Sequence, residues 1–221
     1  PLASAVADTL TLNMHGLRDA GFTALSAQTG GNIEITQALT LAPGSVLQLN
    51  ASQPRLTPNQ GEANPPDGGK LTVGASVSMA GGSFSAKALS IDVSDGVTLD
   101  VAGRWTNDRG VANPGRDAAG NPSDAVVKAG GSVSLSAAAI QLGDDVGIDV
   151  SAGAWLHATG GVDKGTAGSI AMVVKPLDST VQGMNLATLG WGSDLRLSGY
   201  GFDSGGTLKL VGRDVVLGDV P

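Results

Sequence analysis

Between Gly130 and Val150, apolar side chains recur at every second position in three short bursts. Val133 and Leu135 make the first, Ile140 and Leu142 the second, and Val146, Ile148 and Val150 the third. Small or turn-forming residues separate them, so the stretch predicts three half-buried strands joined by tight turns. The stretch 81–101 repeats the pattern without a gap. It sets Phe84 on Val133, Ala86 on Leu135, Ile91 on Ile140, Val93 on Leu142, Val97 on Val146, Leu99 on Ile148 and Val101 on Val150. Further copies start at Gly30 (with one deletion), at the shortened unit 68–80, at the divergent Ala167–Gly168 and at Gly205. Residues 8–29 read as a first, imperfect coil in which Leu10, Leu12 and Met14 alternate.

A unit of about 21 residues with three strands, repeated along the chain, predicts a solenoid. The fold class expected is all-β, a right-handed parallel β-helix of about seven coils, each strand stacking on its counterpart in the coil before. Inward positions then form columns, and Ile33, Leu71, Phe84, Val133, Ile170 and Leu208 are read as one of them. Outward positions such as Glu34, Thr72, Ser85, Ser134 and Lys209 are polar or small, as alternation requires. The Gly pairs suit corners that need positive φ. An antiparallel sandwich also uses many short strands, but it does not demand repeats that align column by column. Insertions rich in Pro, Gly and Asn break the pattern at 51–67, 102–129, 151–166 and 175–193. The first three follow a third strand, so they are expected to leave from one corner and line one edge. The long insertion 102–129 is expected to project from the body. Residues 1–221 read as a single β-helix segment, and the start at Pro1 and stop at Pro221 in mid-pattern point to an internal piece of a longer protein.

Composition narrows this picture. Only 3% of residues are aromatic while 41% are hydrophobic, which suits a narrow aliphatic core. Glycine, 34 of 221 residues, shows no Gly-X-Y period, which excludes collagen. A net charge of −7 without a basic stripe argues against nucleic acid as a partner. There is no cysteine, hence no disulfide framework and no thiolate metal site. No run approaches the ~18 apolar residues of a membrane span, so no membrane insertion is expected.

Candidate chemistry is sparse. His15 and His157 each stand alone, without the spacing of a zinc or iron site. Asp95, Asp144 and Asp219 share one offset in the turn before the third strand. Asp144, Asp145 and Asp149 raise calcium as an idea, but corner acids capping exposed amides are the expected reading. Asp92, Asp100 and Asp149 are the acids a two-carboxylate glycoside hydrolase would need, although alternating acids on a solvated face are the favoured explanation. No catalytic, cofactor or metal residue is assigned. Trp105, Trp155 and Trp191 invite two readings, packing over an apolar corner or projecting as a binding platform, and packing is favoured. Asn50-Ala51-Ser52 is a glycosylation sequon at the root of the 51–67 loop. Loops on a rigid scaffold concentrate recognition, so Arg104, Trp105, Asn107, Asp108 and Arg109, with Trp155, form the candidate binding surface.

The Gly-Gly units, the phrase GVTLDVAGRWTND at 96–108 and the segment LRDAGFTALSAQTGGNIEI at 17–35 resemble the large filamentous-haemagglutinin-type exoproteins of two-partner secretion systems in Gram-negative bacteria. The resemblance implies a non-enzymatic β-helical shaft, secreted or displayed at the bacterial outer surface, serving adhesion, aggregation or contact-dependent toxin delivery. It also implies an outer-membrane transporter of the two-partner system and a receptor on host cells, bacterial cells or glycans. The alternative is a carbohydrate-active β-helix enzyme or carbohydrate-binding module, with loop 102–129 as a cleft wall. An enzyme would converge its carboxylates with an Arg or Lys on one face; a shaft would scatter its charge.

Overall fold

The computed structural model describes residues 3–6, 9–12, 21–52, 69–109, 126–175 and 188–212. Strands are the only regular elements among them, and three parallel stacks carry the architecture. Sheet one runs Ala24–Gln28, Val46–Asn50, Ser83–Lys87, Ser132–Ala137, Ser169–Val174, Thr207–Val211. Sheet two runs Ile33–Ile35, Lys70–Val73, Ser90–Val93, Ala139–Leu142, Thr188–Trp191. Sheet three runs Leu39–Thr40, Val77–Ser78, Thr98–Asp100, Gly147–Asp149, Arg196–Ser198. The chain visits the three sheets in that order, turn after turn, and each strand pairs in parallel with its counterparts above and below. This is a parallel β-helix. The described residues hold five such turns and the first strand of a sixth.

Register confirms the gapless alignment of the two best copies. Phe84 pairs with Val133, Ile91 with Ile140 and Leu99 with Ile148, and all six are 1% exposed or less. Each such side chain removed from water stabilises the stack by roughly 2 kcal/mol. Because neighbouring rungs are only about 4.8 Å apart, the column leaves no gap for solvent.

Two expectations about phase are corrected. Ile33 and Leu71 belong to sheet two, where Leu71 aligns with Ile91, and not to the column of Phe84. That column instead runs Leu25, Leu47, Phe84, Val133, Ile170, Leu208. Apolar alternation is the same on all three faces, so it cannot say which face a short copy occupies. Leu10 and Leu12 lie in Thr9–Leu12, which pairs antiparallel with Ala3–Val6 as a hairpin and adds no rung to the parallel stacks.

The insertions consequently leave from two corners. The 51–67 and 175–193 stretches connect sheet one to sheet two, whereas 102–129 and 151–166 connect sheet three to the next strand of sheet one. The described part of 102–129 also does not project. Gly103 N donates to Ser151 O at 2.8 Å, Arg104 N to Val127 O at 2.6 Å and Gly153 N to Lys128 O at 2.8 Å. Thr106–Asn107 pairs in parallel with Ala154–Leu156, which pairs antiparallel with Val162–Lys164. A small three-stranded sheet thus lies along the corner between sheets three and one.

The Gly pairs serve two purposes. Gly81 has φ +64°, the left-handed corner expected. The second glycine answers to close approach: a Cβ on Gly131 would stand 1.9 Å from the carbonyl oxygen of Gly82.

Candidate functional site

The candidate acids cap backbone amides or are ion-paired. Asp100 and Asp149 stack in register on sheet three. Their Oδ1 atoms accept from Ala102 N at 3.0 Å and Ser151 N at 2.8 Å, closing the turn that ends each strand. In the turn between sheets two and three, Asp95 Oδ1 accepts from Asp144 N at 2.9 Å in the next coil. Asp144 Oδ1 in turn accepts from Ser193 N at 2.7 Å and Ser193 Oγ at 3.1 Å. Asp145 pairs with Arg196 at 2.8 Å. Asp92, on sheet two, pairs with Lys70. Asp92 is therefore on a different face from Asp100 and Asp149, and the three do not converge. No group of three or more acid or histidine side chains is placed to hold a metal ion among the described residues. His15 and Asp219 lie outside the described residues. Asn50 Oδ1 is held by Ser52 N at 2.9 Å and Ser52 Oγ at 2.7 Å.

The edge between sheets three and one is where unusual side chains gather. Trp155 is half-buried among polar partners: its Nε1 donates to Asp108 Oδ2 at 2.7 Å, and its ring lies 3.9 Å from the His157 imidazole. Asp108 is only 8% exposed. On the partner strand of the hairpin, Asp163 Oδ2 takes Lys128 Nζ at 2.9 Å and faces His157 Nε2 at 3.3 Å. The Lys128 hydrogen bond, then that of His157, holds the Asp163 carboxyl below the usual carboxylate range.

Trp105 departs from the packed expectation. It is 72% exposed and touches Phe202 edge-on, with ring centroids 5.4 Å apart. Lys164 Nζ stands 5.9 Å from the Phe202 centroid and 3.3 Å from Asp203 Oδ1. Tyr200, also exposed, donates its backbone N–H to Ser151 Oγ at 3.1 Å. Trp191 is exposed too, but it ends sheet two and lies in register with Leu142, away from this edge. Of the other candidate residues, Asn107 Oδ1 accepts from Arg109 N at 3.0 Å, and Arg104 holds Val127 through its backbone. Arg104, Trp105, Asn107, Asp108, Arg109 and Trp155 thus share one edge. Tyr200, Phe202 and Lys164 were missed. The chain has three Trp, one Tyr and three Phe, and Trp105, Trp155, Tyr200 and Phe202 all follow closely on a sheet-three strand. That recurrence was the available signal.

A shallow groove on the same corner is lined by Gly44, Gly82, Gly131 and Gly168 with Ser83 and Ser132. It presents backbone and hydroxyls, with no titratable group. Comparison with protein-family models, with curated proteins and with solved structures returned no match for this chain.

Proposed function

We propose that this chain is a shaft segment of an extracellular or surface-displayed bacterial exoprotein, one that carries a binding edge and does no chemistry itself. One observation carries the reading. The acids that an enzyme would need are used to cap backbone amides or are ion-paired on separate faces, while the exposed aromatics Trp105, Tyr200 and Phe202 collect on one edge. A stacked core of this kind gives rigidity, and rigidity is what a spacer needs. The resemblance to filamentous-haemagglutinin-type exoproteins agrees with this. It supplies the proposed context: export through an outer-membrane transporter and a receptor on a host cell, a bacterial cell or a glycan.

The test is adhesion. Beads coated with the purified segment should bind at least one of host cells, bacterial cells or glycan-coated surfaces above beads coated with an unrelated β-protein. Beads that bind none of the three, together with release of reducing ends from polysaccharide that Asp100→Asn abolishes, would replace the shaft with the carbohydrate-active enzyme.

A further inference from the structure

Trp105 follows the third coil and Phe202 the fifth, yet their rings meet at 62° between planes. The corner between them allows it. Thr106 is in register with Trp155, so the residue of the next coil beside Trp105 is Ala154. A methyl group there lets the indole lean across the rung to the phenyl ring. The edge-on phenyl fixes the orientation of the indole and still leaves it mostly in water. Lys164 also pairs with Ala154, from the antiparallel side, and cross-strand partners share a face. Lys164 and its acid Asp203 therefore border the indole.

The geometry points to a saccharide subsite, in which Trp105 stacks on the C–H face of a pyranose ring while Lys164 and Asp203 hydrogen-bond its hydroxyls. This rests on the binding-edge reading above and names the class of partner. A pyranose has one apolar face and a polar rim; an exposed indole with a donor and an acceptor beside it matches both. An apolar protein surface or a lipid layer would leave the Lys164–Asp203 pair desolvated without return. Charge selects further. Lys164 is matched by Asp203 and Lys128 by Asp163, and the chain's net −7 outweighs Arg104 and Arg109 on this edge, which disfavours a sulfated or uronic polymer. The ligand class is a neutral glycan with flat, equatorially substituted rings. Because Phe202 already holds the indole, little side-chain freedom is lost on binding.

Affinity electrophoresis through gels containing hydroxyethyl cellulose, with polygalacturonate gels in parallel, tests this. The neutral polymer should retard the segment, and the retardation should survive about 0.5 M salt. Trp105→Ala should weaken it about tenfold, Phe202→Leu should weaken it by a smaller factor, and Trp191→Ala, on sheet two, should leave it unchanged. Melting curves establish that each variant is folded; should Trp105→Ala fail there, Phe202→Leu decides. Absence of retardation by hydroxyethyl cellulose, equal retardation of a folded Trp105→Ala, or retardation by polygalacturonate alone that vanishes in salt overturns the subsite. Coated beads that still bind cells in any of those cases leave the shaft standing, and a retarded segment whose beads bind no surface would separate the two in the other direction.

Discussion

Gly96 and Gly131 look alike in the sequence and answer to different constraints. Gly96 has φ +69° with nothing within 4 Å of an added Cβ, and the next coils fill the same position with Asp145 at φ 60° and Asp194 at φ 57°. Gly131 faces the backbone of Gly82, and a carbonyl in a packed rung cannot step aside as a side-chain tip can. Gly96→Asp should therefore cost no more than about 1 kcal/mol, whereas Gly131→Ala should cost about 3 kcal/mol or more, because two rungs must separate. Urea unfolding of the two variants measures this, and equal losses would mean the rungs have slack. The acids were easier to read than the glycines. Asp95 and Asp144 share an offset, and the turn between strands gives a carboxylate no partner nearer than an amide of the next coil. A glycine's reason depends on what lies above or below it, which a one-dimensional pattern does not contain.

The copies 81–101 and 130–150 were legible because each holds three strands with no insertion between them, so that seven apolar positions fixed their mutual register at once. The copy at 30–50 was placed one face away from its true position. Its Gly pair opens sheet two, the pair at 81–82 opens sheet one, and both are followed by the same apolar alternation. The hairpin of Ala154–Leu156 and Val162–Lys164 was not visible at all, since Val162, Asp163 and Lys164 are exposed and carry no alternation. It is held by side-chain chemistry at Asp163, and this gives it a pH dependence. The Asp163 carboxyl is held low in the folded state by Lys128 and then His157, while an unfolded aspartate keeps its ordinary value. The contacts of the Asp163 carboxylate, its ion pair with Lys128 first, thus stabilise the hairpin above that ordinary value, and the contribution is lost as pH falls through the depressed folded one. Protection of the hairpin amides, corrected for the intrinsic pH dependence of exchange, should fall as pH drops below the ordinary aspartate value, ahead of that of the core strands. Asp163→Asn should flatten that dependence. A hairpin as acid-sensitive in Asp163→Asn as in the native chain would assign the effect to another group.

Over the whole molecule, the core and the edge are separable. The columns through Leu99 and Ile148 are closed to solvent, and five rungs at about 4.8 Å each span roughly 24 Å. The edge sheet hangs on this body through Gly103, Arg104 and Gly153. Replacing 106–126 with a short Gly-Ser link removes the Thr106–Asn107 strand and Asp108, and with it the acceptor of Trp155 Nε1. Val127 must be kept, because its carbonyl holds Arg104 and its side chain lies over Gly81. None of the deleted described residues except Asp108 is buried, so the cooperative core should not register the loss. The main transition in far-UV circular dichroism should stay within about 2 °C, while Trp155 fluorescence and amide protection in the Ala154–Leu156 hairpin change. A fall much larger than that would mean that coils three and four are stapled together through the edge. The display surface would then be part of the shaft, and the binding residues could not be altered without loosening the rod.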